Sequence, residues 1–403
     1  MTQQNSGGWQ YLPNQSGYSS AWAQPTFAVP VTRPQAEVSH LPVAAARPLQ
    51  QFGGWMLTAL FAGMGVLLLL LIAYFLFALG LYASIVGVML ALIPLGVVFY
   101  FVRLIDKWEP EPKRLLLFAI AWGAIASVAI SLLVDLLFQV SFGGLPDVVG
   151  AVVQAPIVEE LAKGLGLLLI FLIARNYIDG PVDGVVYGAL IGAGFAFTEN
   201  IQYFAVSLIQ GGGAELTFTF IVRGIFSPFA HAMFTSVLGY CIGLAARQGA
   251  RGSKLTSLLG LGVIGAIALH AFWNGSAVFG DFFLLYITMQ VPLFIGMILG
   301  VIGLRREEAR LTHARLSEYA AAGWFTVGEV EMLATRNGRK HGLIWAANLR
   351  GNRTSLMREF IRDATTLAAA RQRIVTGRDP HAPALEQELL ARTTAIRAAL
   401  LSF

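Results

Sequence analysis

From Trp55 to Leu304 the chain is almost unbroken apolar sequence, cut by short polar loops into runs of the length a bilayer requires. The runs cover roughly 55–79, 82–102, 115–138, 150–174, 182–210, 217–246, 255–280 and 282–304. This predicts an all-α fold, a polytopic membrane bundle of about eight transmembrane helices. The weakest break is at Gly80, between the first two runs. Pro94, inside the second, is tolerable where neighbouring helices satisfy the carbonyl it frees. With 56% of its 403 residues hydrophobic and 13% charged, the chain has the balance of a membrane protein. Its one cysteine, Cys241, excludes an intrachain disulfide and a four-cysteine metal site.

Lys and Arg in the loops set the expected orientation. They occur at Arg103, Lys107, Lys113 and Arg114, at Arg175, at Arg247, Arg251 and Lys254, and at Arg305 and Arg306. The intervening loops, at 139–149, 211–216 and around Asp281, have none. This alternation predicts that both termini are cytoplasmic. Three regions follow. Residues 1–54 are polar, rich in Gln, Ser, Pro and Tyr, without the early apolar core of a cleavable signal peptide, and read as disordered. Residues 55–304 form the transmembrane domain. Residues 305–403 carry 16 Lys and Arg against 10 Asp and Glu, a net +6. Apolar positions at helical spacing there (Leu311, Leu316, Tyr319, Phe360, Ile361, Leu367, Ile374) predict a helical basic tail. Its charge suits anionic lipid at the cytoplasmic surface, and no nucleic-acid-binding module is present.

Charged and polar residues inside the spans are expensive and mark function by default. The fourth span holds Glu159, Glu160 and Lys163; the fifth Glu199 and Asn200; the sixth Arg223 and His231; the seventh His270 and Asn274. At ~1.5 Å per residue, Glu159, Glu199 and His270 fall ~14–16 Å below the outer surface, and His231 ~21 Å below it. Helices running in alternating directions thus bring carboxylates and imidazoles to a similar depth, which scattered polar defects would not do. Glu159 and Lys163 are spaced i,i+4 on one helix face, as are His270 and Asn274. Glu160 lies about 100° round the helix from Glu159, which favours Glu159 as the partner of Lys163. Gly192 and Gly194 permit a close neighbour on the fifth helix.

Two carboxylates and two imidazoles in a wet pocket can activate water. One route holds a metal with two histidines and a glutamate, leaving a second glutamate as general base. The other is metal-free: a Glu–His pair deprotonates water while an imidazole and an amide such as Asn274 stabilise the oxyanion.

The segments DKWEPEPKRLL (106–117), EELAK (159–163), FAFTEN (195–200), FAHAMF around His231 and HAFWN (270–274) together resemble the PrsW-type intramembrane proteases. These belong to the superfamily of type II CAAX prenyl endopeptidase-like membrane proteases. The resemblance covers roughly residues 60–304. It implies a multi-pass protease of a bacterial-type plasma membrane that cleaves a single-span, membrane-tethered protein, with anti-sigma factors as the substrate class. It also implies that Glu159, Glu160, Glu199, His231 and His270 form the active site, with Asn274 closing the last motif. The prenyl-endopeptidase relatives have a histidine where this chain has Glu199, so their metal-free arrangement does not transfer unchanged. On this reading Glu159 or Glu160 is the base, and the other glutamate pairs with Lys163 or ligates a metal. Glu199, His231 and His270 are the candidate metal ligands, with zinc a candidate ion, or else water-activating groups. Asn274 and Asn200 serve the oxyanion, and Lys163 supports the glutamates.

Other readings of the polar core are a transporter or channel with a proton or cation relay, and a non-catalytic scaffold. The glutamates would then be salt-bridge partners of Lys163 and Arg223. A convincing internal repeat, expected of many transporters, is absent from the sequence. So are the H-E-x-x-H, G-x-S-G and G-x-G-D motifs of other membrane proteases. The acidic loop Glu109-Pro110-Glu111-Pro112 reads as a stiff turn.

Overall fold

The computed structural model describes residues 51–377 and 379–402, the side chains of residues 51–54 and 176 aside. The N-terminal segment expected to be disordered lies, up to residue 50, outside the described residues. All regular structure among the described residues is helical. The described residues divide into two compact units, one from residues 51–308 with 372–377 and 379–380, the other from residues 309–371 with 381–402.

In the first unit, α1 is Gln51–Ala78, α2 Gly80–Ile105 and α3 Lys113–Phe142, which contains a π-helical stretch at Trp122–Ser127. Helix α4, Ala155–Ile173, follows a π turn at Gly150–Gln154. Helix α5, Pro181–Phe220, runs into a second π stretch at Ile221–Phe226. Helix α6 is Ala230–Arg247, α7 Gly252–Phe279 and α8 Val291–Ala321, the last preceded by a π turn at Tyr286–Gln290 and belonging to the second unit from Ala309 on. Six stretches among the described residues are long and apolar enough to cross a membrane. Two of the eight runs expected from sequence merge into one of them, Pro181–Arg247, and α4 is set apart by its three charges, Glu159, Glu160 and Lys163.

Two backbone features shape the merged stretch. Gly212 leaves the helical region at φ 67°, a conformation that favours glycine, and bends the chain between the two expected spans. The second break was not anticipated. The expected span 217–246 is discontinuous at residues 227–229, where Pro228 has no N–H to continue a ladder, so α6 starts at Ala230 and places His231 in its first turn.

Helices α5 and α6 are the buried centre, and their contact is set by absent side chains. A Cβ at Gly184 would meet the Gly239 carbonyl oxygen at 1.9 Å, and one at Gly192 the His231 carbonyl oxygen at 2.2 Å. A Cβ at Gly188, between them, would meet the Thr235 carbonyl oxygen at 2.7 Å. This stripe of glycines spaced four residues apart lets the backbones touch, as in membrane helix pairs generally. Gly194 meets Ile120 of α3 in the same way. Around this centre pack Phe118, Trp122, Leu167, Ile170, Tyr187, Leu190, Leu238 and Ile242. The outer helices instead expose large apolar side chains: Phe77, Leu81, Leu172, Leu261, Ile264 and Ile298 are all more than half exposed. Apolar surface of that extent is stable in lipid and not in water.

The second unit is a helical assembly in its own right. Helices α9 (Val327–Ala334), α10 (Arg336–Asn348), α11 (Thr354–Val375) and α12 (Ala382–Leu401) supply most of it. Leu316, Phe325, Leu333, Phe360, Leu367 and Leu389 share one core, so the periodic apolar positions of the tail make a packed unit. Thr326 and Glu329 form a reciprocal capping box at the start of α9. Several arginines are spent inside the unit, as in Arg392–Asp363 at 2.8 Å and Arg397–Glu329 at 2.6 Å.

Candidate active site

Helix α4 carries the two glutamates and the lysine on consecutive turns. It is held in place by Trp122, whose indole Nε1 donates to the Ala162 carbonyl at 3.0 Å and whose ring lies where a Gly166 side chain would be. The π stretch of α3 positions that indole. Lys163 is fully buried. Its Nζ lies 2.7 Å from Glu160 Oε1 and 3.4 Å from Glu159 Oε2. The pairing expected from i,i+4 spacing alone is therefore incomplete, and the shorter contact is the i,i+3 one. A flexible four-carbon stem reaches both.

The other helices converge on this group. From α7, His270 Nδ1 lies 3.0 Å from Glu160 Oε1, and its Nε2 3.8 Å from Glu159 Oε2. From α6, Thr235 Oγ1 donates to Glu160 Oε2 at 3.0 Å. His231 Nδ1 lies 3.1 Å from Lys163 Nζ, and its Nε2 2.9 Å from Glu199 Oε2 of α5. Arg223, on the π stretch after α5, donates through Nη2 to Glu199 and through Nε to Asn200 Oδ1 at 2.8 Å. Aromatic rings close the remaining sides. Phe195 lies 4.0 Å beneath the Lys163 ammonium, Phe234 stacks on His270, and Tyr203 lies 3.8 Å from the Arg223 guanidinium.

Glu159, Glu160, Glu199, His231, His270, Lys163, Asn200 and Arg223 thus form one connected network, as the common depth suggested. Asn274 does not join it through its amide nitrogen, which donates to the Ala151 carbonyl at 2.8 Å and ties α7 to the π turn before α4. That bond ties two helical elements together and takes one of the two N–H donors of the Asn274 amide. Asn200 joins the network through its carbonyl oxygen, which accepts from Arg223. Sequence reasoning missed Thr235, Phe195 and Phe234. Thr235 follows His231 by one helical turn and Phe195 precedes Glu199 by one, so their faces could have been read.

The metal-ligand expectation also changes. Glu159, His231 and His270 each offer a ligand atom, all within 4.8 Å of one another. The carboxylate grouped with the two histidines is Glu159, not Glu199, which is taken up by Arg223 and His231. The donor set fits a divalent cation such as zinc: two imidazoles and a carboxylate, with Glu160 and Glu199 as outer partners of the two rings.

Residues 111–297 match the model of the "PrsW family intramembrane metalloprotease". Protease PrsW of Clostridioides difficile (strain 630) is 31% identical over 192 residues, which are 46% of this chain and 76% of that protein. Protease PrsW of Geobacillus kaustophilus (strain HTA426) is 29% identical over 140 residues, 35% of this chain and 58% of the relative. Protease PrsW of Bacillus subtilis (strain 168) is also 29% identical over 140 residues, 35% of this chain and 60% of the relative. No solved structure matches the chain significantly. The matched region contains every residue of the network described above, and the chain belongs to the PrsW family of intramembrane proteases.

Proposed function

We propose that this protease hydrolyses a peptide bond of a single-span, membrane-tethered protein of the anti-sigma-factor kind, with water activated between Glu159 and the two histidines. The observation that carries the reading is the convergence of Glu159, Glu160, His231 and His270 from three helices around one buried lysine. The two glutamates have different work. Glu160 is saturated: Lys163, His270 and Thr235 all point at its carboxylate, so it orients the others. Glu159 is held more loosely and is the more accessible of the two, which suits the group that takes a proton from water. His270, oriented by Glu160, then carries a proton to the leaving amine. His231 and Glu199, with Arg223, complete a polar path along which a proton can be held.

With a zinc-type ion held by Glu159, His231 and His270, the chemistry supplied would be polarisation of the scissile carbonyl and acidification of a water. Positive charge for the developing oxyanion would come from Arg223, set against the Tyr203 ring where charge acts strongly.

Eight crossings, with both termini on the cytoplasmic side of a plasma membrane, fit this reading. The bend at Gly212 and the length of α4 support the count, and the Lys/Arg alternation supports the orientation. The basic helical unit would then face anionic lipid at the cytoplasmic surface. A comparison of membrane proteomes tests the function. A single-span protein should accumulate uncut in cells carrying Glu160→Gln and be restored to cleavage by the wild-type gene. Identical membrane proteomes would remove the reading.

A further inference from the structure

Lys163 is the one member of the network whose position bears on the choice between the metal and metal-free routes. An ammonium has three N–H donors and no lone pair. Here it meets Glu160 at 2.7 Å, Glu159 at 3.4 Å and His231 Nδ1 at 3.1 Å, with Phe195 4.0 Å away on a further side. Because the ammonium can only donate, His231 Nδ1 is the acceptor. The ring proton therefore sits on Nε2 and is donated to Glu199 at 2.9 Å. In this arrangement neither nitrogen of His231 has a lone pair to spare. Two of the three residues able to hold a metal, Glu159 and His231, are thus in contact with the lysine's charge. The lysine is also wholly buried, so a displaced ammonium has no water at hand.

We propose that Lys163 is a built-in monovalent counter-ion that occupies the place a divalent ion would need, fixing the His231 tautomer and keeping metal affinity low. The proposal rests on the reading of this network as the active site. It makes Lys163 a positioning residue: it holds two carboxylates and one imidazole in register with no metal present, and a divalent ion binds only by driving it out of contact.

The test measures metal binding on the full-length, detergent-purified protein, independently of cleavage. Wild type should bind zinc and cobalt(II) weakly in equilibrium dialysis. Lys163→Met, which keeps the apolar stem and removes the charge, should bind both at least about tenfold more tightly, since contact with a like charge is strongly unfavourable in a low-dielectric interior. The gain should vanish when His231→Ala and His270→Ala are added. Lys163→Arg should keep the weak affinity. If Lys163→Met does not fold, wild type alone decides. Histidine-selective nitrogen NMR, with His231→Gln to assign the signal, should show the His231 ring protonated on Nε2 with Nδ1 accepting. Tight stoichiometric zinc binding by wild type, unchanged affinity in Lys163→Met, or a ring protonated on Nδ1 would each overturn the proposal. Cleavage of a single-span substrate by wild type is scored separately. Its failure counts against the proposed function, while the binding data alone decide the role of Lys163.

Discussion

Two of the chain's pairs of closely spaced glutamates, Glu159 with Glu160 and Glu109 with Glu111, have surroundings that give them opposite characters. Glu159 and Glu160 lie in α4 against Lys163, His231 and His270, so charge is met by charge and by groups that move protons. Glu109 and Glu111 lie in the Pro-rich loop between α2 and α3. Glu111 is buried, its Oε2 accepts from the Tyr187 hydroxyl at 2.6 Å, and its backbone N–H donates to Asp106 Oδ1 at 3.1 Å. Burial first, and the carboxylates of Asp179 and Asp183 next, push the Glu109 carboxyl well above its ordinary range, with Arg373 opposing. Burial and Asp183 do the same for Glu111. The same residue type faces cations and imidazoles in one pair, and in the other acids whose charge, with burial, strengthens its hold on a proton. The loop that reads as a stiff turn is thus also a buried polar joint to α5, where Asp183 caps the helix start by accepting from the N–H groups of Asp179 and Gly180.

The comparison breaks most visibly through activity. Glu159→Gln and His231→Gln should each lower the cleavage rate about 100- to 10,000-fold, the usual range for a lost proton-transfer group. Single-turnover cleavage in detergent reads this, with protein amount checked alongside. A loss below tenfold at both positions would make the network structural, like the loop.

On the loop side the expected effect is on stability. Glu111→Ala leaves the buried Tyr187 hydroxyl without its acceptor and should cost about 1–3 kcal/mol in unfolding experiments. Glu111→Gln keeps an acceptor and should cost much less. Equal losses for the two variants would mean that the hydrogen bond is not what matters there.

How far the sequence revealed both regions follows from what each signal measures. Apolar run length revealed the helices, and counting residues from the loops revealed that Glu159, Glu199 and His270 share a depth. Depth is one coordinate. It says nothing of rotation about each helix axis or of which helices are neighbours, and for that reason Glu199 stood where the structure puts Glu159. The missing coordinates come from packing: the α5–α6 glycine contacts turn His231 inward, and Trp122 on Gly166 sets the rotation of α4. Pro228 was visible, yet whether it bends or breaks a helix depends on neighbours that satisfy the freed carbonyls. The Arg373–Asp179 bond at 2.6 Å joins residues 194 positions apart, which no periodicity can show.

The smallest expected effect is a pH dependence. Burial raises the Asp106 carboxyl from 3.8 to about 6, against the backbone hydrogen bond from Glu111 and the charge of Arg103. The folded state therefore holds this proton more tightly than the unfolded chain. The contribution is favourable at low pH and is lost as pH rises from about 4 through about 6. Asp106→Asn should flatten thermal stability across that window. An unchanged slope would take Asp106 out of the buried joint.

The most direct test of the central claim sets the two pairs against each other in one assay. Wild type, Glu160→Gln and Glu111→Gln are reconstituted in liposomes with the same single-span substrate, and the cut product is quantified. Wild type and Glu111→Gln should cleave, and Glu160→Gln should not at equal protein. Cleavage by Glu160→Gln at the wild-type rate would contradict the central claim.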